Sequence, residues 1–169
     1  FSHLRMEENQ VRNEPAHRLD PSALIYWKWK GFLSSLFWWL APLAYYFTIR
    51  FLEWPVWILA VLIIACVGIT ILATTLFPKI TWERWRYDVS NQEIDLLYGR
   101  WIRKRTIIPM VRVQHVDTKQ GPLMKQFALS AVTISTAAGS HEIPALAEEV
   151  ADELRDRISI LARVVEEDV

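Results

Sequence analysis

Two stretches of the chain carry no charge at all, and any fold must first find a place for them. Gly31 to Ile49 runs for 19 residues and Trp54 to Pro78 for 25 without Asp, Glu, Lys or Arg, and only Arg50 and Glu53 are charged between them. At ~1.5 Å per residue each helix reaches across a hydrocarbon core of roughly 30 Å. Val56 to Phe77 reads VWILAVLIIACVGITILATTLF and offers water no polar face. Ser34, Ser35 and Pro42 interrupt the first run, which alone would also suit a soluble core. A second span following so closely argues against that and against a secretory signal. The expectation is a two-helix transmembrane hairpin over residues 19–78, with spans at about 31–49 and 55–77. Trp27, Trp29 and Trp54 stand where indole rings mark the two interfaces, while Trp38 and Trp39 suit lipid or helix packing.

Within the hairpin, Asp20-Pro21 reads as an N-cap followed by proline in the first turn, so the first helix starts there and enters the bilayer after Lys30. Pro42 deletes one backbone donor and predicts a kink. Cys66, Thr70 and Thr74 recur every four residues and form a small, weakly polar stripe for transmembrane packing. Neither span holds Asp, Glu, Lys, Arg or His, which argues against a transport pathway through these helices. Lys28 and Lys30 precede the first span and Lys79, Arg84 and Arg86 follow the second, against Arg50 alone in the connection. This predicts both termini on the cytoplasmic side.

The 169 residues are 52% hydrophobic, which excludes a disordered chain and a large multidomain enzyme. One cysteine, Cys66, excludes an intrachain disulfide framework and a cysteine zinc cluster. The overall charge of zero hides a segregation by sign. Residues 79–125 hold ten basic against five acidic side chains, and residues 126–169 hold three against nine. Residues 1–18 are polar, without a periodic apolar face, and read as a flexible cytoplasmic tail in which Met6 is a candidate start residue.

After Pro78 the pattern changes to alternation. Trp82 to Val89 reads as a half-buried strand with Trp85, Tyr87 and Val89 inward. Ile94, Leu96 and Tyr98 continue it, Trp101–Ile108 and Val111–Asp117 are further strands separated by Pro109, and Leu123–Phe127 is a helical turn. Leu129–Thr136 and Ser140–Ile143 form a hairpin around Ala137-Ala138-Gly139. An amphipathic helix ends the chain, with Ala151, Leu154, Ile158 and Leu161 on one face, Pro144 in its first turn and Glu148 and Glu149 near its positive end. The expected architecture for residues 79–169 is an α+β, PH-like antiparallel β-sandwich or barrel, curled on itself to hide its edges and closed by the C-terminal helix.

Trp85-Arg86-Tyr87, Tyr98-Gly99-Arg100, Ile108-Pro109-Met110-Val111-Arg112-Val113-Gln114-His115-Val116, Gly121-Pro122-Leu123, Thr136-Ala137-Ala138-Gly139 and Ile143-Pro144-Ala145-Leu146, placed behind two spans, form a fairly specific set. The set resembles the YdbS-like bacterial membrane proteins that carry a PH-like domain, over about Leu19 to Leu161. The resemblance implies a small protein of the bacterial plasma membrane, often paired with a larger YdbT-like partner that repeats the module, and linked to envelope defence against antimicrobial peptides. It brings no catalytic motif.

Arg100, Arg103, Lys104 and Arg105, with Arg112 beyond them, form the densest basic region, close to a membrane exit. Such groups attract anionic lipid by about 1 kcal/mol each near a surface, and equally serve as a solvated edge or as ion-pair partners for the acidic terminal helix. Alternation puts Arg103 and Arg105 on one face and Lys104 on the other. His3, His17, His115 and His141 complete no ligand set at zinc spacing, although His115 and Asp117 share a strand face. No cofactor motif, nucleophile elbow, phosphate loop or nucleic-acid signature occurs. The sequence therefore points to a non-enzymatic membrane scaffold that assembles with itself or with a related PH-domain membrane protein. The alternatives are a subunit of a transport or export complex and an anionic-lipid-sensing module.

Overall fold

A computed structural model describes residues 13–168 of the chain. Its order is β1 (His17–Arg18), α1 (Ser22–Trp38), α2 (Leu40–Leu52), α3 (Val56–Ile71), a π-helical stretch (Leu72–Leu76), α4 (Phe77–Arg84), β2 (Arg86–Val89), β3 (Glu93–Tyr98), β4 (Lys104–Pro109), a 3-10 turn (Met110–Arg112), β5 (Val113–Lys119), α5 (Pro122–Gln126), β6 (Leu129–Thr136), β7 (Gly139–Ala147) and α6 (Glu148–Glu167). The expected tail over residues 1–18 falls for its first twelve residues outside the described range. His17 and Arg18, at its end, pair with Tyr87 and Arg86.

Two long apolar helical rods result, Ser22–Leu52 of 31 residues and Val56–Arg84 of 29, each long and apolar enough to cross a membrane. Their outward side chains stay uncovered by protein, as at Ile64, which is 72% exposed, so this surface suits acyl chains and not a soluble core. Asp20 Oδ1 accepts from Ser22 N–H at 2.8 Å, which organises the entry to α1 as the Asp-Pro pair implies. Between the rods only Glu53, Trp54 and Pro55 lie outside helix; Glu53 adopts a left-handed conformation (φ 50°, ψ 39°) and Tyr45 Oη donates to the Pro55 carbonyl at 2.9 Å.

The break in the first rod falls at Trp39, about one turn before Pro42. Pro42 has no N–H for the Trp38 carbonyl four residues earlier, and the Cys66 thiol of α3 donates to that carbonyl at 3.3 Å. Trp39 Nε1 donates to Thr70 Oγ1 at 3.1 Å. Lower in the second rod, Pro78 denies a donor to Thr74, and the helix widens into its π stretch over Leu72–Leu76. There the rods pack tightly: a Cβ added to Gly31 would stand 2.1 Å from the Ala73 carbonyl oxygen, an approach that only glycine permits.

The second rod continues past Pro78 to Arg84, so the strand expected from Trp82 begins only at Arg86. Trp82 and Trp85 satisfy both periodicities, and proline is tolerated in the first turn of α4. The remaining strands form two antiparallel sheets, ordered β1-β2-β3-β4 and β5-β6-β7, and do not close into a barrel. The corner between them is Pro109 followed by the 3-10 turn, where Met110 N–H donates to the Gln92 carbonyl at 2.8 Å. This turn also delays the fourth expected strand to Val113, while Trp101 and Ile102 stay outside β4. Pro144 lies within β7 and not in a helix; the β6–β7 register shifts between Ser130 and Val132, and that bulge accommodates it.

One continuous core joins Tyr87, Val89, Ile94 and Leu96 of the first sheet to Val132, Ile134, Ile143 and Ala145 of the second. Ala151, Leu154 and Ile158 join it from α6, which packs against β5, β6 and the 3-10 turn. Leu19 and Ala23, 2% and 0% exposed, and Tyr26 belong to the same core. The N-terminal end of the first rod is therefore part of the sheet domain.

Gly31→Ala is expected to lower stability by about 1–3 kcal/mol through forced separation of the rods. Gly68→Ala, whose new Cβ meets nothing within 4 Å, should be neutral or mildly stabilising. Thermal unfolding of both variants in mild detergent checks the contrast; equal midpoints would refute the close approach.

Candidate functional site

The basic region is built on the β3–β4 hairpin, which places its cations in different surroundings. Gly99, at φ +130°, starts the connecting loop; a Cβ there would meet the Ile102 carbonyl oxygen at 1.9 Å, so the loop is tight and glycine-dependent. Arg100 Nε donates to Thr81 Oγ1 at 3.3 Å, and its guanidinium lies 4.8 Å from the Phe77 ring centre. It is thus held against α4 at the exit of the second rod.

Arg103 and Arg105 both turn toward the segment before β1, the shared face that alternation implies. Arg103 Nη1 donates to Glu14 Oε1 at 2.9 Å, and the other Glu14 oxygen stands 3.3 Å from Arg86 Nη1. Arg105 grips Asp95 in a fork, Nη2 to Oδ2 at 2.6 Å and Nε to Oδ1 at 3.1 Å, and also donates to the Asn13 carbonyl at 3.1 Å. The hydrogen bond to Asp95 raises the Arg105 pKa further above its ordinary value. Lys104 is exposed on β4, and Arg112 is exposed in the separate turn between the sheets. The five cations therefore do not converge on one point.

The acidic terminal helix engages its own arginine: Arg155 Nε donates to Asp156 at 3.0 Å and Nη1 to Thr118 at 3.3 Å. Glu14 and Asp95 are the carboxylates that the sequence reading missed. Asp95 was legible, since it faces the same side of β3 as its diagonal neighbour Arg105, whose direct partner is Leu97. Glu14 carried no local signal.

In the hairpin, Cys66 and Thr70 meet Trp38 and Trp39, whereas Thr74 donates to the Thr70 carbonyl at 2.7 Å in its own helix. The stripe is thus divided by the π stretch. His115 Nε2 lies 3.7 Å from Asp117 Oδ2, and His17 stacks on Tyr87 with ring centres 5.5 Å apart. Burial pushes the Tyr87 phenol above its ordinary pKa. His141 pairs with Ile134 across β6–β7, and His3 lies outside the described residues. Among the described residues no three His, Cys, Asp or Glu side chains gather where they could hold a metal ion.

Comparison with known proteins places this arrangement in a family. The bacterial PH domain family matches residues 22–162, hairpin included. The chain is 44% identical over 164 residues to the UPF0699 transmembrane protein YdbS of Bacillus subtilis (strain 168), across 94% of this chain and 100% of that protein. It is 29% identical over 79 residues to the UPF0699 transmembrane protein YdbT of the same organism, across 47% of this chain and 16% of YdbT. No solved structure gives a significant match.

Asp95→Ala should cost about 1 kcal/mol, since the forked pair is only partly shielded from water, and the loss should shrink in high salt. Denaturation of the detergent-solubilised protein at low and high salt measures it; a salt-independent loss would mean that Asp95 acts by packing alone.

Proposed function

Because the chain belongs to the bacterial PH domain family and is a YdbS-like membrane protein, we propose that it is a non-enzymatic, membrane-anchored scaffold that assembles with itself or with a related PH-domain membrane protein. In this reading residues 19–78 are the membrane hairpin and residues 79–169 the cytoplasmic PH-like domain. The observation that carries it is the shared core: Leu19, Ala23 and Tyr26 lock the first rod into the sheet domain. A domain fixed in this way presents constant faces to neighbours in the same bilayer. Exposed Lys104 and Arg112, and exposed Glu148, Glu149, Ile160 and Val164 on α6, are unlike surfaces suited to pairing. The similarity of part of the chain to part of YdbT supports a relative of that kind as the second partner.

Lys28, Lys30, Lys79 and Arg84 at one end of the hairpin, against Arg50 at the other, support cytoplasmic termini and a bacterial plasma-membrane location. A place in envelope defence against antimicrobial peptides is carried by the family resemblance alone. The transport-subunit reading has less support, because Cys66 and Thr70 are already engaged inside the hairpin.

Extraction from the native membrane in mild detergent should yield a species larger than one chain plus its micelle. Migration as a monomer at every concentration, with no protein recovered alongside, would reject the scaffold. Orientation has its own test: a thiol introduced as Glu53→Cys should react with a membrane-impermeant maleimide in intact cells, and one introduced as Lys119→Cys only after lysis. The reverse pattern would invert the topology.

A further inference from the structure

The rods and the sheets do not meet flush. A cleft of about 430 Å³ remains between them, large enough for a small ligand, with Trp27, Phe77 and Trp85 among its walls. Lys30, Ser34, Thr81 and Arg100 supply its polar lining. Lys30 is the last charge before the first apolar run, and Thr81 lies just beyond the second. The cleft therefore opens at the depth where hydrocarbon gives way to water.

Its cations differ from the rest of the basic region. Arg103 and Arg105 are neutralised by Glu14 and Asp95, but among the described residues neither Lys30 nor Arg100 has a carboxylate partner. Lys30 Nζ lies 6.0 Å from the centre of the Tyr26 ring. Arg100 is steadied through Nε by Thr81, and among the described residues its two terminal nitrogens make no hydrogen bond. The Ser34 hydroxyl makes no hydrogen bond among the described residues, whereas Ser35 beside it donates to the Phe32 carbonyl. Positive charge and open donors are thus held ready on an apolar wall.

The neighbouring loop agrees with this depth. Trp101 and Ile102 are 74% and 76% exposed, and Trp101 meets Phe77 edge-on with ring centres 6.1 Å apart. Such side chains are favourable at a headgroup layer and costly in water. With that loop inserted, the cleft opens among lipid headgroups.

We propose that this cleft binds the phosphodiester headgroup of an anionic phospholipid, with Lys30 and Arg100 on the phosphate, Ser34 as a further donor and the indoles against the glyceryl portion. The chemistry is that of a basic pocket between membrane helices and a juxtamembrane domain. It assigns lipid recognition to Lys30 and Arg100 and a structural role to Arg103 and Arg105, independently of the scaffold reading.

The test uses the full chain in mild detergent, with lipid retention followed by native mass spectrometry. Phosphatidylglycerol should be retained at least about tenfold more strongly than phosphatidylcholine, and Lys30→Gln with Arg100→Gln should remove that preference. Lys119→Gln with Lys125→Gln, which discharges two exposed cations away from the cleft, should keep it within about threefold. Unchanged near-ultraviolet circular dichroism would show that both double variants are folded. Equal retention of the two lipids, or equal losses in the two double variants, would overturn the assignment. So would displacement of the bound species by millimolar inorganic phosphate without preference between lipids, which would make the cleft a site for soluble phosphate.

Discussion

The burial of Leu19, Ala23 and Tyr26 beneath the sheets is the contact on which the remaining architecture depends. A PH-like domain attached by a flexible linker would sample many orientations. Here the helix that leaves the bilayer is itself a wall of the core, and the second rod enters the same core through Trp82 and Trp85. Trp82 Nε1 donates to the Asp20 carbonyl at 3.1 Å, tying the two rods together where both emerge. Membrane anchoring and domain folding are consequently one packing problem.

Inside the bilayer the governing constraint is that every backbone polar group needs a partner, because no water is present to supply one. Two prolines break this rule locally, and the chain answers each differently. For Pro42 the answer comes across the hairpin, from the Cys66 thiol to the Trp38 carbonyl. For Pro78 it comes along the helix, through five residues of wider winding. The stripe of Cys66 and Thr70 is thus best understood as part of the support for a kink.

Much of this was legible in the residues. Uncharged length gave the rods, period-two alternation gave Tyr87, Val89, Ile94 and Leu96 as inward residues, and the spacing of Ala151, Leu154 and Ile158 gave the terminal helix. The errors fall where one residue serves two patterns. Trp82 and Trp85 fit a strand as well as a helix end, and Pro144 fits a first helical turn as well as a bulge. Barrel closure failed at Pro109 and the turn after it, where the two sheets part. Long-range contacts were beyond any local pattern: Glu14 reaches Arg86 and Arg103 across more than seventy positions of chain. For the same reason Arg100 could be grouped with Arg103 and Arg105 by proximity in sequence but not separated from them by role.

The three-residue connection at Glu53–Pro55 gives the hairpin almost no slack. Two rods joined so tightly cannot slide past each other to suit a thinner or thicker bilayer; they accommodate mismatch chiefly by leaning together. Since the sheet domain packs on the start of the first rod and the end of the second, a lean of the rods carries it along. A bilayer that tilts the rods thus tilts the domain with them.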